Sequence, residues 1–479
     1  MSTNLARAFA QRRGRAGYAS TIAMLFLMLF VTLSIAFYAN VGTAVQSSYN
    51  DVSTARARFA AESGMEFIRY QLAVIDIPHY TAPENLFTEV YNDLADAMND
   101  TANLSGGSIA LVGNEIRIPG NTSAWIPADN DGGEFPATIT KVGQRLRVNV
   151  TGRRGSATEL ARALQLEYAV AQKASSIFDF GVASKSAIAL NGNVSIRGTA
   201  GNEGNGSVLS TTLSNPTPLT MIGNCEISGD VSFVNPDPSS IAVSNQSTIA
   251  GFKPSSAEFE KHVHAGVAPP DFPVIDTAVY APYAVNNITT SNPAGTTFKN
   301  IRIKAGANPK FASNTVIQGV CYIEYPNQVE FSGGAQIQGV VVVHTNSAGN
   351  EDLNPTNNTI KFAGNVTATP LSSLPATADF PESLRSLSGA MLLAPGFTAT
   401  FRGNFGSVSG SIIASKLEFS GTAGGTVKGS VINLQDTALT LAGTSDIVIE
   451  SQGTTDYPDG VFFGSNYAPL PDTYLEVLP

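Results

Sequence analysis

Val316-Ile317-Gln318-Gly319-Val320 is followed, 20 positions on, by Gln336-Ile337-Gln338-Gly339-Val340. Val408-Ser409-Gly410-Ser411 recurs as Val427-Lys428-Gly429-Ser430 after 19 positions, and Glu330-Phe331-Ser332-Gly333 reappears as Glu418-Phe419-Ser420-Gly421. Weaker copies begin at Ala189, Gly223 and Ile360. A strand, a glycine turn and a strand make a unit too small to bury its own apolar face, so each unit must stack on the next. Glycine and asparagine suit the corners because they tolerate positive φ. Inward Ile, Val, Leu and Phe then form a ladder along the stack. An antiparallel sandwich would place turns every 8 to 12 residues or so but gives no reason for echoes a full coil apart. The expected architecture from Phe178 onward is therefore a parallel β-helix, right-handed by the usual crossover rule.

Outward from this repeat, the solenoid domain is expected to cover residues 178–479, with interruptions. Pro254, Pro269, Pro270, Pro273, Pro282 and Pro293 mark a proline-rich excursion at about 252–300, and a second break lies around Pro370 to Pro381. Residues 429–479 carry no Lys or Arg and seven acids. Their last part, Thr455 to Pro479, holds Tyr457, Phe462, Phe463, Tyr467 and Tyr474 and reads as an aromatic cap on an exposed solenoid end.

The other end of the chain has a different grammar. Arg7, Arg12, Arg13 and Arg15 precede 35 consecutive uncharged residues, positions 16 to 50. Within them Ile22 to Ala39 is apolar apart from Thr32 and Ser34, long enough to cross a hydrocarbon core of about 30 Å as a helix. A cleaved secretory signal usually has an apolar core of only about 7 to 15 residues. The arginines predict a cytoplasmic N-terminus and a single pass of the cytoplasmic (inner) membrane, with all later domains extracytoplasmic. Val45, Tyr49 and Val52, then Met65, Ile68, Leu72 and Ile75, keep helical spacing without a proline until Pro78. One transmembrane and amphipathic helix is expected over 18–77, after a basic leader at 1–17. Ala36, Ala39, Gly42 and Ala44 are small residues that would let another helix approach closely.

Arg12-Arg13-Gly14-Arg15-Ala16-Gly17, the apolar helix, and Ala60-Ala61-Glu62-Ser63-Gly64-Met65-Glu66 together resemble type IV pilin-like proteins with a PilX-type N-terminal region. The resemblance covers about the first 75 residues. It implies cleavage by a prepilin peptidase between Gly17 and Tyr18, packing with other pilin-like subunits, and a long helix lying on an antiparallel sheet. Counting from Tyr18, the fifth residue is Ile22, where classical pilins carry a glutamate. Pilin-like proteins of this type with glycine-rich C-terminal β-solenoids form a group, and Phe178-Asp179-Phe180-Gly181 looks like their domain entry. The rival reading is a single-pass anchor without pilus chemistry.

Residues 78–177 read as a small α+β domain. Thr81-Ala82-Pro83-Glu84 has capping-box form ahead of Leu86, Val90, Leu94 and Met98, predicting a helix over about 82–98. Gly113-Asn114 and Gly143-Gln144 each sit between strand-like runs and predict two hairpins. The stretch Leu160 to Val170 fits a strand or a helix, and the alternation of Leu164, Leu166, Tyr168 and Val170 favours a strand. Asp129-Asn130-Asp131-Gly132-Gly133-Glu134 is rich in oxygen ligands but lacks the EF-hand spacing, so an ordinary turn is expected there.

Composition narrows function. Net charge is −10, from 28 basic and 38 acidic residues, which disfavours nucleic-acid binding. Cys225 and Cys321 are too few for a thiolate cluster. Of four histidines only His262 and His264 are close, and they fall in the proline-rich stretch, where solvent exposure is the ordinary expectation. No P-loop, nucleophile elbow or zinc motif is present. Acids of the repeat region (Glu324, Glu330, Glu418, Asp436, Asp446) are scattered rather than paired on one face. The reading is a non-enzymatic pilin-like envelope protein without cofactor or metal, a minor subunit or assembly factor of a type IV pilus or secretion pseudopilus. The alternative is an anchored adhesion or binding protein for a surface glycan or protein ligand; further off stands a polysaccharide-active β-helix enzyme.

Overall fold

The structure is a computed structural model that describes residues 4–129, 132–155, 157–173, 175–345, 356–387, 389–450 and 457–477. The chain divides into two compact units: Met1–Ile77 with Thr81–Ala171 and Ser465–Pro479, and Pro78–Tyr80 with Gln172–Gly464.

In the first unit, helix α1 (Asn4–Val74) is 71 residues long. It extends back through the basic leader, because no proline or glycine cluster stops it there. Its outer half buries Ala61, Met65, Ile68 and Leu72, the stripe that the three- and four-residue spacing foretold. Helix α2 (Leu86–Met98) buries Phe87, Val90, Leu94 and Met98. It begins four residues later than the capping-box reading. Residues 82–85 form a turn closed by Asn85 N–H on the Ala82 carbonyl, and the proline at 83 disfavours helical geometry at Ala82.

Both expected hairpins form, Ala110–Val112 with Glu115–Ile118 and Ala137–Val142 with Arg145–Arg154. The ambiguous stretch is a strand, Ala157–Gln172, antiparallel to Arg145–Arg154. Beside it pairs Ser465–Val477. This corrects the solenoid boundary at 479 and the cap reading of the tail: the last strand belongs to the first unit, where Tyr467 enters the core with Met65, Val148 and Tyr168. Its Pro469 and Pro471 concealed it, since proline is tolerated in a strand where the ladder needs no N–H.

The second unit carries a parallel sheet of 25 strands among the described residues. The echoes read from the sequence are partners in it. Val316–Ile323 pairs with Ala335–Val343 so that Ile317, Gln318, Gly319 and Val320 lie beside Ile337, Gln338, Gly339 and Val340. Val408 likewise lies beside Val427. Inside, the rings of Phe311, Phe331, Phe362, Phe401 and Phe419 stack in sequence, with successive centroids 5.0, 5.2, 4.8 and 5.1 Å apart and nearly parallel ring planes. That is close to the roughly 4.8 Å spacing of neighbouring strands, so the backbone ladder sets the stacking distance. At one corner Asn327 is buried, donating from Nδ2 to the Lys304 and Glu324 carbonyls and accepting at Oδ1 from Asn308 N–H. Asn358 Oδ1 accepts from Asn327 N–H in turn. Within the strand Ala335–Val343 only glycine fits at one position: Gly339 has φ 146°, and a Cβ there would lie 2.0 Å from the Gly319 carbonyl oxygen.

The order of the ladder was not foreseen. Parallel pairs run from Asn286–Ile288 through Thr297–Ile303, Val316–Ile323, Ala335–Val343, Ala390–Phe401, Ser411–Phe419 and Val431–Asn433. The ladder then continues into Val182–Ser184, Val208–Ser210, Val231–Phe233 and Val263–Ala265. The chain therefore enters the ladder partway along, climbs to one end at Ala265, and restarts at the other end at Asn286. Ten strand spacings of about 4.8 Å are about 48 Å, and the 20 residues between can span about 65 Å when extended. This is the work of the proline-rich segment. It corrects the 252–300 excursion in part, because Val263–Ala265, Asn286–Ile288 and Thr297–Ile303 are ladder strands. Part of the crossing segment, with Ile275 and Tyr280, packs on the outward row Val320, Val340, Leu393, Ile413, Ile432, Ala183 and Leu209. Apolar runs such as Val340–Val343 are buried on both faces for that reason.

Candidate anchoring helix and surface clusters

Side chains of α1 from Tyr18 to Tyr49 are exposed throughout, including Leu25, Phe26, Leu29, Phe30 and Phe37. The helix is long and apolar enough to cross a membrane. Its few polar groups are accommodated by the helix itself: Thr32 Oγ1 donates to the Met28 carbonyl at 3.0 Å and Thr43 Oγ1 to the Ala39 carbonyl at 2.9 Å. Burial starts only at Ser53 and Ala57.

Gly17 and Tyr18 both lie inside this continuous helix, with Tyr18 exposed. Ala36, Ala39, Gly42 and Ala44 are exposed as well. Ala39 and Gly42 line a shallow groove with Thr43, Gln46, Ser47 and Asn50. Ala36 lies one turn before it. Ala44, about 100° further round per residue step, points to another side of the helix, so the four do not share one face.

The Ala60-Ala61-Glu62-Ser63-Gly64 segment has a packing reason. A Cβ on Gly64 would lie 2.5 Å from the Phe135 ring, and one on Gly152 would lie 2.0 Å from the Ala57 carbonyl oxygen and 2.4 Å from Ala61 N. Small residues on both elements bring helix backbone against strand backbone. Gly152, in the strand facing α1, was missed; a glycine inside a strand is the signal of such an approach.

His262 and His264 are not free. Asp230 accepts from His262 Nδ1 at 2.7 Å and from His264 Nε2 at 3.1 Å. Burial pushes the Asp230 carboxyl up, but the two imidazole hydrogen bonds outweigh it and hold the group below the ordinary carboxylate range. Asp230 was overlooked because only the pairing of Val231–Phe233 with Val263–Ala265 brings it to the histidines. In the oxygen-rich turn, Asp129 Oδ1 accepts from Gly133 N–H and Glu134 pairs with Arg153 at 2.9 Å; Asn130 and Asp131 lie outside the described residues. Among the described residues no three His, Cys, Asp or Glu side chains are placed to share a metal.

The scattered acids have basic partners: Glu324 with Lys304 at 2.7 Å, Glu330 with Lys310 at 3.1 Å, Glu418 with Lys416 at 2.6 Å and Asp446 with Arg197 at 2.5 Å. Asp436 accepts from Ser214. Cys225 and Cys321 are free and buried.

No family model matches the chain, and no curated protein matches it either. Among solved structures, the chain is similar to the crystal structure of the competence-associated pilin ComZ from Thermus thermophilus, at 12% identity and a TM-score of 0.25, over 89% of this chain and 98% of that one. A TM-score at that level does not establish a shared fold.

Proposed function

We propose that the chain is a membrane-anchored, pilin-like envelope protein that projects a parallel β-helix, and that it acts without catalysis as a minor subunit or assembly factor of a type IV pilus or secretion pseudopilus. The observation carrying this reading is the division of α1. From Tyr18 to Tyr49 it is apolar and bare, and its second half is pressed onto an antiparallel sheet through Ala61, Gly64 and Gly152. A helix of that kind has one half for a membrane or a bundle of like helices and one half for its own domain. The arginines ahead of its apolar stretch favour a cytoplasmic N-terminus in the cytoplasmic membrane. Other pilin-like subunits and a prepilin peptidase are the partners this entails. Mass spectrometry of the native N-terminus, with fractionation, tests it: the expected product begins at Tyr18 in the membrane or a fibre, and an intact Met1 removes the peptidase step.

A second reading has the β-helix as a binding surface for a glycan or protein and the helix as anchor only.

A further inference from the structure

The strand Arg145–Arg154 runs down α1 towards its bare half. Val150 meets Gly64, Gly152 meets Ala57 and Ala61, and the guanidinium carbon of Arg154 lies 5.7 Å from the centroid of the Tyr49 ring. These alternate residues face the helix, so Arg153 faces the other side of the sheet. There its guanidinium carbon lies 3.6 Å from the centroid of the Trp125 ring, and it pairs with Glu134 at 2.9 Å. The end of the strand thus gathers Arg154, Trp125 and Tyr49 close to where the bare stretch of α1 ends. Trp125 is the single tryptophan of the chain and is half-buried, as is Arg154. Among the described residues no carboxylate lies within ion-pair distance of Arg154, whose contact is the Tyr49 ring.

The uncharged run from position 16 to position 50 is centred on residue 33. A hydrocarbon core of about 30 Å takes about 20 helical residues, which puts its ends near residues 23 and 43. Tyr49 then stands about 9 Å outside the core, and its ring leans back towards the N-terminus by part of a turn. The headgroup layer on each side is roughly 5 to 8 Å deep, so the ring and the guanidinium over it fall at the level of the phosphates. Tyrosine and tryptophan favour that level because each joins an apolar body to a polar tip, and arginine meets a phosphate with two parallel N–H donors. The acids of this region are Glu134, held by Arg153, Asp129, which accepts from Gly133 N–H, and the exposed Asp51 of α1. They leave no excess of positive charge, so the surface suits one phosphate of any phospholipid rather than a strongly anionic membrane. We propose that the end of this strand is a lipid-facing foot: Arg154 binds the phosphate of a phospholipid headgroup on the extracytoplasmic side, with Tyr49 and Trp125 in the same interfacial layer. The proposal rests on the membrane-anchored reading of α1 and is independent of whether the chain enters a fibre.

The test uses the full chain reconstituted in phosphatidylcholine vesicles, with Trp125 fluorescence as the reporter. Lipid carrying a nitroxide on its headgroup should quench Trp125 at least about twofold more than lipid carrying it near the end of an acyl chain, as an interfacial position requires. Arg154→Glu loses only the contact with the Tyr49 ring and sets a carboxylate against the phosphate. It should lower the headgroup quenching at least about twofold with melting unchanged, and Arg154→Lys should keep most of it. Quenching that is indifferent to Arg154→Glu, or that appears only when anionic lipid is added, overturns the phosphate contact. A chain that floats with the vesicles but shows no headgroup quenching overturns the foot and leaves the anchor standing; if Trp125 is then also shielded from iodide, a protein surface covers it instead. A chain that does not float with the vesicles overturns the anchor and the foot together.

Discussion

Lys173 donates its backbone N–H to the carbonyl oxygen of Gly464 at 3.0 Å, so the long segment of the second unit, Gln172–Gly464, begins and ends side by side. Next to these residues, Ile77 and Ser465 exchange both backbone hydrogen bonds, at 2.9 and 2.8 Å. The parallel-sheet unit is thus an insertion between two strands of the first unit, whose own core of Ile68, Val148, Tyr168 and Tyr467 is complete without it. Replacing residues 174–463 by a short Gly/Ser linker should leave a protein that melts in one cooperative step, with the circular dichroism of a mixed helix and sheet. A product with no cooperative transition would mean that the first unit depends on the insert.

The phenylalanine stack makes a sharper energetic claim. Phe362 is flanked by Phe331 at 5.2 Å and Phe401 at 4.8 Å and is almost wholly buried. Phe362→Ala leaves a ring-sized cavity between two strands and should destabilise the unit by about 3 to 5 kcal/mol. Gln318→Ala removes only a half-exposed hydrogen bond to Gln338 and should cost about 1 kcal/mol or less. Urea unfolding followed by far-ultraviolet circular dichroism of the sheet compares the two, and equal losses would refute a continuous aromatic ladder.

Helix α1 meets the sheet through glycine. Because a Cβ on Gly152 would fall 2.0 Å from a backbone oxygen of α1, the strain cannot be relieved by turning a side chain. Gly152→Ala should therefore cost about 1 to 3 kcal/mol, which is large for one methyl group. Gly106→Ala, at a turn with open space around it, has no such clash and bears only the strain of its positive φ. Thermal melting of the two variants distinguishes close helix–strand packing from a general intolerance of substitution.

What could be read beforehand followed physical locality. A residue that stacks on its own copy leaves an echo, so Gln318 above Gln338 and the Phe331 and Phe419 segments disclosed a stacked parallel architecture. The joining of Val431–Asn433 to Val182–Ser184 leaves none, since two three-residue strands 249 positions apart share only an initial valine. The tail strand was hidden by its prolines. Of the surface clusters, His262 and His264 stood out for their chemistry, but Asp230 could be linked to them only through strand pairing.

That Asp230 cluster gives a pH-dependent prediction. Val263–Ala265 is at one end of the ladder, and Asp230 holds the histidines on either side of Val263. A carboxyl whose pKa is lower in the folded than in the unfolded chain contributes stability at pH above its unfolded value. That contribution is lost as the pH falls through the folded value. The Asp230 carboxyl is of this kind, so its support of the end strand is present at neutral pH and disappears only in acid, below about pH 4. Asp230→Asn should therefore speed amide hydrogen exchange at Val263, His264 and Ala265 relative to wild type at pH 6 to 7, and the difference should shrink as the pH is lowered through the acid range in which the carboxyl protonates. Identical exchange in the two proteins at neutral pH would show that the end strand is held by its backbone pairing with Val231–Phe233 alone.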